Sequence, residues 1–307
     1  MRTYEDVFDM VGRTPHLRVH APEAGEARVY VKLEGANPTG SVKDRGGLGM
    51  LRAARESGAL QPGMTLLDAS SGNMACALAY FGRVLGHRAT LVVSSKLTED
   101  KRNFLRYYGA TLHQVGDFTI EGNRWCRELA ERENDGRYCF LDQLHNWANP
   151  RAHYEGTGPE ILEAFPDVEL VVGSLGSGGT LYGTGTFLKE ARPGIKVVAV
   201  QSASGTRIPG TGSFDEGDYR TPFILKGMED CVFDEVMRIT EADAVRRTLE
   251  LRDRGVFGGL QTGGVFHAAV TAARELGVRG DVVFISGDTG WKNIVKLLPH
   301  SPAPEGA

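Results

Sequence analysis

The stretch Asn37-Pro38-Thr39-Gly40-Ser41-Val42-Lys43-Asp44-Arg45 places a lysine just beyond a Pro/Gly turn. Glycine and proline restrict the path of the backbone, Ser41 is a candidate N-cap, and the pattern predicts a helix that begins near Gly46. Burial and nearby positive charge lower the pKa of an amine, and a neutral amine is able to form a Schiff base. Lys43 is therefore the candidate catalytic residue.

Two glycine-rich loops have the composition of anion-binding sites. Residues 70–75 read Ser-Ser-Gly-Asn-Met-Ala, residues 174–180 read Ser-Leu-Gly-Ser-Gly-Gly-Thr, and each loop follows a predicted strand and opens a helix. Backbone N–H groups and hydroxyls at a helix N-terminus bind phosphate or carboxylate. The first loop alone is also compatible with an ordinary helix N-cap, and a nicotinamide-binding motif is the competing interpretation of the second loop.

The second loop matches neither common nucleotide motif. Leu181 stands where a dinucleotide motif has its third small residue, and Gln201 rather than an acid ends the following strand. The chain also lacks the Gly-Lys-Ser/Thr of nucleoside-triphosphate loops. A phosphate-binding loop without these features indicates a phosphorylated coenzyme.

Apolar runs alternate with helical patterns along most of the chain, which predicts parallel sheets with crossover helices and ligands at the carboxyl ends of the strands. The less regular stretch 141–156 separates two such series. We therefore predict an α/β fold with two doubly wound domains and a coenzyme cleft between them. The smaller domain is assigned 1–11 and 37–147, and the larger domain 12–36 and 148–307.

The predicted elements follow from these patterns. Residues 202–235, rich in Gly, Pro and charge, are predicted to form a long surface-lying segment, and residues 301–307 a frayed tail. The predicted strands are 28–33, 64–68, 89–94, 111–115, 169–173, 196–201 and 281–286, and the predicted helices are 46–57, 73–85, 98–108, 119–132, 157–164, 179–190, 241–254 and 265–276.

Composition excludes several classes of protein. The chain has 307 residues, 41% of them apolar, and a formal net charge of −4, so we expect no nucleic-acid partner and no membrane. Four widely spaced cysteines and eight histidines without ligand spacing predict no metal site and no disulfide framework. The N-terminus lacks an apolar signal region, and we expect a cytoplasmic protein.

Taken together, the motifs resemble the fold-type II pyridoxal-phosphate enzymes, whose fold is that of the tryptophan synthase β-subunit, and specifically the cysteine synthase/cystathionine β-synthase family. The resemblance runs from Val11 to about Trp291, and residues 241–247, 255–257 and 288–292 are most similar to the O-phosphoserine sulfhydrylase branch. The matching motifs are, in order, 11–15, 37–45, 70–73, 143–149, 153–160, 176–180 and Gly263.

The resemblance implies a role for each candidate residue, with pyridoxal 5′-phosphate as the coenzyme. Lys43 would carry the internal aldimine and act as the base at the substrate α-carbon. Asn73 would bind the ring oxygen of the coenzyme, and Thr289 would face its pyridine nitrogen. The phosphate would be held by Gly176, Ser177, Gly178, Gly179 and Thr180, and the amino-acid substrate by Ser70, Ser71, Gly72, Met74, Gln143 and Gly227, the last through its carbonyl.

The implied reaction is β-replacement on an activated serine, O-phosphoserine or O-acetylserine, through an α-aminoacrylate to give cysteine or a close analogue, in a homodimer. Met74 and Gln261 depart from the residues usual in the family and motivate an alternative nucleophile, namely an amine, a thiol amino acid or cyanide. A serine/threonine dehydratase-type lyase and a binding protein without turnover are further alternatives. Candidate cations for a phosphate leaving group are Arg207, Arg220 and Lys226.

Overall fold

The computed structural model describes residues 3–70, 72–133 and 135–300, so Ser71 and the predicted tail lie outside the described residues. The strands form two sheets. The first has the order β1-β2-β10-β7-β8-β9, and the second β5-β4-β3-β6. The strands are β1 His16–Val19, β2 Arg28–Leu33, β3 Thr65–Ala69, β4 Ala89–Val93, β5 Thr111–Gln114, β6 Tyr138–Phe140, β7 Val168–Ser174, β8 Lys196–Ser202, β9 Glu235–Ile239 and β10 Asp281–Ser286.

All strand pairs are parallel except β1 with β2. The α/β fold with parallel sheets and crossover helices is confirmed, and each predicted strand lies within one residue of an observed one. The predicted domain boundaries stay a prediction.

The helices are α1 Lys43–Glu56, α2 Asn73–Val84, α3 Glu99–Tyr107, α4 Thr119–Arg132, α5 Ala148–Ala152, α6 Gly158–Ala164, α7 Gly179–Ala191, α8 Pro222–Glu229, α9 Glu241–Asp253, α10 Leu260–Glu275 and α11 Ile294–Leu297.

Each sheet is covered on both faces by apolar side chains. Strands β3 and β4 are buried at every position, and β10 is buried at all positions after its first. Burial on both faces explains why these strands appear in the sequence as continuous apolar runs.

The start of α1 differs from the sequence prediction. The helix begins at Lys43 itself, with Val42 at the cap position and no side-chain cap. Ser41 is not the N-cap, because its segment pairs with the end of β10: Ser41 bridges to Asp288, and the N–H of Val42 donates to the carbonyl of Gly287 at 2.9 Å. Lys43 is thus fixed against the carboxyl end of β10.

Segment 202–235 is not surface-lying as predicted. It contains α8, and its buried aromatic and aliphatic side chains include Ile208, Phe214 and Phe223. Among residues 3–70, 72–133 and 135–300, no helix has the length and apolar content to span a bilayer. The same described residues contain no group of three or more His, Cys, Asp or Glu arranged to hold a metal ion.

Candidate active site

A cavity of about 680 Å³ lies where strands of both sheets end. Ser70 follows β3 and Lys96 follows β4 of the four-stranded sheet, while Gly176 follows β7 and Gly287 follows β10 of the six-stranded sheet, and all four line the cavity. Carboxyl ends of parallel strands are the usual ligand sites of such folds. The fold therefore brings the glycine-rich loops and Lys43 to one place.

Lys43 lies in the cavity wall at the first residue of α1. Its Nζ donates to Ser177 Oγ at 3.4 Å. Loss of solvation lowers the pKa of the Lys43 amine to about 8, because burial disfavours the charged form. Near neutral pH an appreciable share of this amine is unprotonated and nucleophilic, as the sequence prediction requires.

The loop between β7 and α7 has a backbone that only glycine adopts without strain. Gly178 has a φ of 85°, and a Cβ there would lie 2.5 Å from Ile224 Cγ1. A Cβ on Gly176 would lie 2.7 Å from the carbonyl oxygen of Gly210. The unobstructed backbone at the N-terminus of α7, with the hydroxyls of Ser177 and Thr180 in the cavity lining, is suited to a phosphate group.

A buried histidine, His153, forms a hydrogen bond with Thr180 of this loop. His153 Nε2 lies 3.2 Å from Thr180 Oγ1, and its Nδ1 lies 2.9 Å from Thr157 Oγ1. Burial, reinforced by the charge of Arg45, lowers the pKa of His153 to about 3. The ring is therefore neutral at physiological pH and acts as a hydrogen-bonding support without adding charge.

The loop before α2 forms the opposite wall. Ser70 Oγ accepts from the N–H of Gly72 at 3.2 Å, and Asn73 Nδ2 donates to Asp288 Oδ2 at 2.9 Å. Asn73 Oδ1 and Asp288 Oδ1 are buried without a hydrogen-bond partner among the described residues. Buried polar atoms without partners are costly, so this wall is arranged for a polar ligand. Gln143 lines the same cavity.

Met74 faces α1 more than the ligand. It is 1% exposed, and a Cβ on Gly47 would lie 3.4 Å from its sulfur. Its bulk is accommodated because α1 has adjacent glycines, Gly46 and Gly47, at the contact. Met74 still contributes to the cavity lining, so its substrate-binding role stays a prediction.

The structure does not bring Thr289 or Gly227 into the cavity lining. Thr289 donates its N–H to the Gly40 carbonyl at 3.2 Å, and its hydroxyl caps the following 3-10 turn. The Gly227 carbonyl already accepts the N–H groups of Val232 and Phe233, at 2.9 and 3.3 Å, because it closes α8. The roles of Thr289 and Gly227 at the ligand stay predictions.

Of the three candidate cations for a phosphate leaving group, only Arg207 lies in the cavity lining. Arg207 lines the cavity but pairs with Asp218 at 2.9 Å. Lys226 pairs with Asp230 at 2.8 Å, and neither Lys226 nor Arg220 is part of the lining. The sequence interpretation missed other residues of the lining. Lys96, Phe118 and Asp288 follow β4, β5 and β10, and these positions were the available signal. Lys101, Tyr219 and Lys296 lie farther from a strand end, and no local signal indicates them.

A buried ion network anchors α1 directly after Lys43. Arg45 Nε donates to Glu34 Oε2 and its Nη2 to Glu160 Oε2, both at 2.7 Å. Lys32 Nζ also donates to Glu160 Oε2 at 2.7 Å. Glu34 and Lys32 are 0% exposed, so the network rigidly joins β2, α1 and α6 next to the catalytic candidate.

Known proteins similar to this chain assign it to a family. Residues 7–288 match the family model described as pyridoxal-phosphate dependent enzyme. The chain belongs to this family. It is 36% identical to cysteine synthase B of Pseudomonas aeruginosa over 89% of this chain and 90% of that protein, and 35% identical to cysteine synthase B of Escherichia coli over 86% of each.

Solved structures give the same result. The chain superposes on the crystal structure of O-ureido-L-serine synthase with a TM-score of 0.89 at 30% identity, covering 100% of this chain and 98% of that one. It superposes on O-acetyl serine sulfhydrylase isoform 3 of Entamoeba histolytica with a TM-score of 0.88 at 27% identity, covering 100% and 94%. The predicted membership of the fold-type II, cysteine synthase-like enzymes is confirmed, as is pyridoxal phosphate as the coenzyme.

The residues present fit this coenzyme. Gly210 and Ile224 exclude side chains at Gly176 and Gly178, so the loop presents backbone and the hydroxyls of Ser177 and Thr180 to the cavity, which suits a phosphate. The Lys43 amine, whose pKa is lowered, lies 3.4 Å from the Ser177 hydroxyl of this loop. Asn73 Oδ1 and Asp288 Oδ1 are buried polar atoms without a hydrogen-bond partner among the described residues.

Proposed function

We propose that the protein catalyses β-replacement on an activated L-serine, with release of the β-substituent and addition of a sulfur nucleophile to give cysteine or a close analogue. The single observation that carries the proposal is the Lys43 amine, with a pKa lowered to about 8, at hydrogen-bonding distance from the glycine loop of α7. Relatives named cysteine synthase B share the family and most of the chain length.

Lys43 would hold the aldehyde carbon of pyridoxal phosphate, and Gly176 to Thr180 would hold its phosphate. Bound pyridoxal phosphate supplies an electron sink for negative charge at the α-carbon of an amino acid. Lys43 Nζ would then take the α-proton of the substrate and later return it. An amine with a pKa near the working pH performs both transfers efficiently.

The loop before α2 would orient the substrate. Backbone N–H groups at the N-terminus of a twelve-residue helix attract a carboxylate, and Ser70 and Gln143 border the same wall. With the carboxylate fixed there, the substrate would be held between this loop and Lys43. This orientation sets which hydrogen of the α-carbon Lys43 is able to remove.

A second product class is favoured by one specific observation. The structure with a TM-score of 0.89 belongs to a synthase whose product, O-ureido-L-serine, is a serine derivative that is not cysteine. A non-sulfide nucleophile therefore remains the second candidate for the replacement step. Met74 and Gln261 support this second candidate less than the sequence analysis expected. Met74 packs on α1, and Gln261 Nε2 donates hydrogen bonds to Ser174 Oγ and to the Gly210 carbonyl.

The test is turnover by the purified holoenzyme. We expect sulfide to give L-cysteine with either O-acetyl-L-serine or O-phospho-L-serine, with one equivalent of acetate or phosphate released per cysteine. Lys43→Ala should lower turnover by at least about 10³-fold, because both proton transfers and coenzyme attachment are lost.

Lys189→Ala is a suitable control, since Lys189 pairs with Asp234 at 2.7 Å far along α7 and should leave turnover unchanged. Keto-acid release without incorporation of any nucleophile would overturn the proposal in favour of a lyase. We also propose a cytoplasmic homodimer, as the family resemblance implies, which sedimentation of the purified protein tests.

A further inference from the structure

Five lysines of this chain form no ion pair among the described residues, and four of them, Lys43, Lys96, Lys101 and Lys296, line the cavity. The fifth, Lys292, lies in the 3-10 turn Gly290–Asn293 that precedes α11, the helix of Lys296. The other lysines each pair with a carboxylate. These paired lysines are Lys32, Lys189, Lys196 and Lys226.

Lys101 is the central member of this group. It lies in the first turn of α3 and is half-buried, and no hydrogen bond or ion pair joins it to another described residue. Burial lowers the pKa of Lys101, and the charges of Lys292 and Lys296 lower it further, although Asp288 opposes them. Asp288 attracts Lys101 but forms no ion pair with it among the described residues, so the Lys101 ammonium group is open to an anion that enters the cavity.

None of the four carboxylates of the cavity forms an ion pair with Lys96, Lys101 or Lys296 among the described residues, and each has a different hydrogen-bond partner. Asp218 pairs with Arg207, and Asp288 accepts from Asn73 and Asn293 at 2.9 and 3.1 Å. The remaining two are Asp117, which accepts from the Ser95 hydroxyl, and Glu216, which accepts from the N–H of Gly205.

We propose that Lys101, with Lys96 and Lys296, forms an anion subsite for a charged group of a substrate, distinct from the loop that holds the coenzyme phosphate and from the loop that holds the α-carboxylate. The proposal rests on the β-replacement proposed above. The anion has two sources with the same chemistry: a phosphate leaving group on the serine donor, or a carboxylate on the incoming nucleophile. Flexible ammonium groups suit either, since they bind as point charges.

The first experiment measures binding without turnover. Inorganic phosphate is titrated calorimetrically into the coenzyme-loaded wild type, Lys101→Met, Lys101→Arg and Lys196→Met. We expect Lys101→Met to weaken phosphate binding about tenfold, Lys101→Arg to restore most of it because the charge is kept, and Lys196→Met to bind as the wild type does. Equal binding by all four proteins would overturn the subsite.

The second experiment identifies the source of the anion. With sulfide as nucleophile, a fall of about tenfold in kcat/KM for O-phospho-L-serine in Lys101→Met, with O-acetyl-L-serine unchanged, assigns the subsite to the leaving group. A fall in kcat/KM that appears only when a thiol amino acid replaces sulfide assigns the subsite to the nucleophile. Equal falls in kcat/KM for all substrates, or loss of bound coenzyme, would overturn the proposal and assign these cations to the coenzyme.

The two experiments separate this proposal from the proposed function. A wild type that binds phosphate through Lys101 but converts no serine derivative would overturn β-replacement and keep an anion site. A wild type that makes cysteine, while Lys101→Met changes neither phosphate binding nor kcat/KM with any donor or nucleophile, would overturn the subsite and keep β-replacement.

Discussion

His145 Nε2 lies 2.7 Å from the hydroxyl of Tyr219. His145 follows β6 of the four-stranded sheet, whereas Tyr219 lies between β8 and β9 of the six-stranded sheet and lines the cavity. Asp142 Oδ1, 2.8 Å from Nδ1, fixes the ring, so Nε2 is the acceptor of the Tyr219 hydroxyl. A hydrogen bond therefore joins the two sheets beside the cavity.

Tyr219→Phe should weaken substrate binding while sparing the chemistry. The hydrogen bond to His145 contributes about 1 kcal/mol net to the order of the Tyr219 segment. Where substrate binding must restore that order, the KM of the serine donor should rise by up to roughly fivefold, with kcat changed less than about twofold. Steady-state kinetics measure both values. Tyr154→Phe is the control, because that hydroxyl donates to Glu190 outside the cavity. A large fall in kcat at constant KM would instead show that the Tyr219 hydroxyl takes part in the chemistry.

Gly178→Ala should weaken the binding of the coenzyme. The φ of 85° and the 2.5 Å approach to Ile224 Cγ1 force the loop to move, at a cost of at least about 1 kcal/mol. Equilibrium dialysis of pyridoxal phosphate should show an affinity at least about tenfold weaker. Gly194→Ala is the matched control, since a Cβ there meets nothing within 4 Å and φ is ordinary. Equal affinities in the two variants would mean that this loop does not hold the phosphate.

Much of the fold and the coenzyme site is predictable because strong local signals coincide. Continuous apolar runs identify β7 and β10, and the glycine loops directly after β3 and β7, which the sequence predicts as anion sites, both line the cavity. Strands β1, β6 and β9 escaped prediction. β6 has only three residues, Tyr138–Phe140, and β1 and β9 are largely exposed edge strands without a continuous apolar run.

Tertiary contacts determine what the sequence does not predict. Ser41 has the residue type of an N-cap, but its backbone pairs with Asp288 far along the chain. Lys101 and Lys296 come from α3 and α11, and nothing local in either segment indicates that they face one cavity. Segment 202–235 lacks periodicity, yet α8 within it buries Phe223 and Ile224.

Met74→Ser should lower stability more than it changes substrate preference. Met74 is 1% exposed and packs on the glycines of α1, so removal of its thioether leaves a cavity that costs about 2–4 kcal/mol. Chemical denaturation measures this loss. The ratio of kcat/KM between O-acetyl-L-serine and O-phospho-L-serine should stay within about threefold. A reversed donor preference would show instead that Met74 sets specificity directly.

His153→Ala should weaken coenzyme binding by the same amount from pH 5 to pH 9. The lowered pKa of about 3 keeps the ring neutral across this range, so its contribution is one hydrogen bond to Thr180 and does not titrate. The expected loss is about five- to tenfold in pyridoxal-phosphate affinity, measured by dialysis at several pH values. A loss confined to the acid side of pH 6.5 would show that the ring is protonated in the protein.

The buried network around Arg45 should make stability fall steeply in acid. Burial raises the pKa of Glu34 and of Glu160, but the charge and hydrogen bonds of Arg45 outweigh burial and hold both pKa values at about 2. Both carboxylates therefore bind protons more weakly in the folded chain than in the unfolded chain, where the pKa is about 4.3. Their stabilisation is present above about pH 4.3 and is lost as the pH falls towards 2.

Glu160→Gln tests this dependence because it removes one of the two carboxylates. Denaturant unfolding from pH 2 to pH 7 should show the wild type more stable by about 3 kcal/mol or more at neutral pH, since the variant leaves Lys32 and Arg45 short of a partner. The difference should shrink by about 1–3 kcal/mol towards pH 2. Glu163→Gln, at an exposed position of the same helix α6, should follow the wild type throughout. A difference between wild type and Glu160→Gln that is constant with pH would show that Glu160 contributes by packing alone.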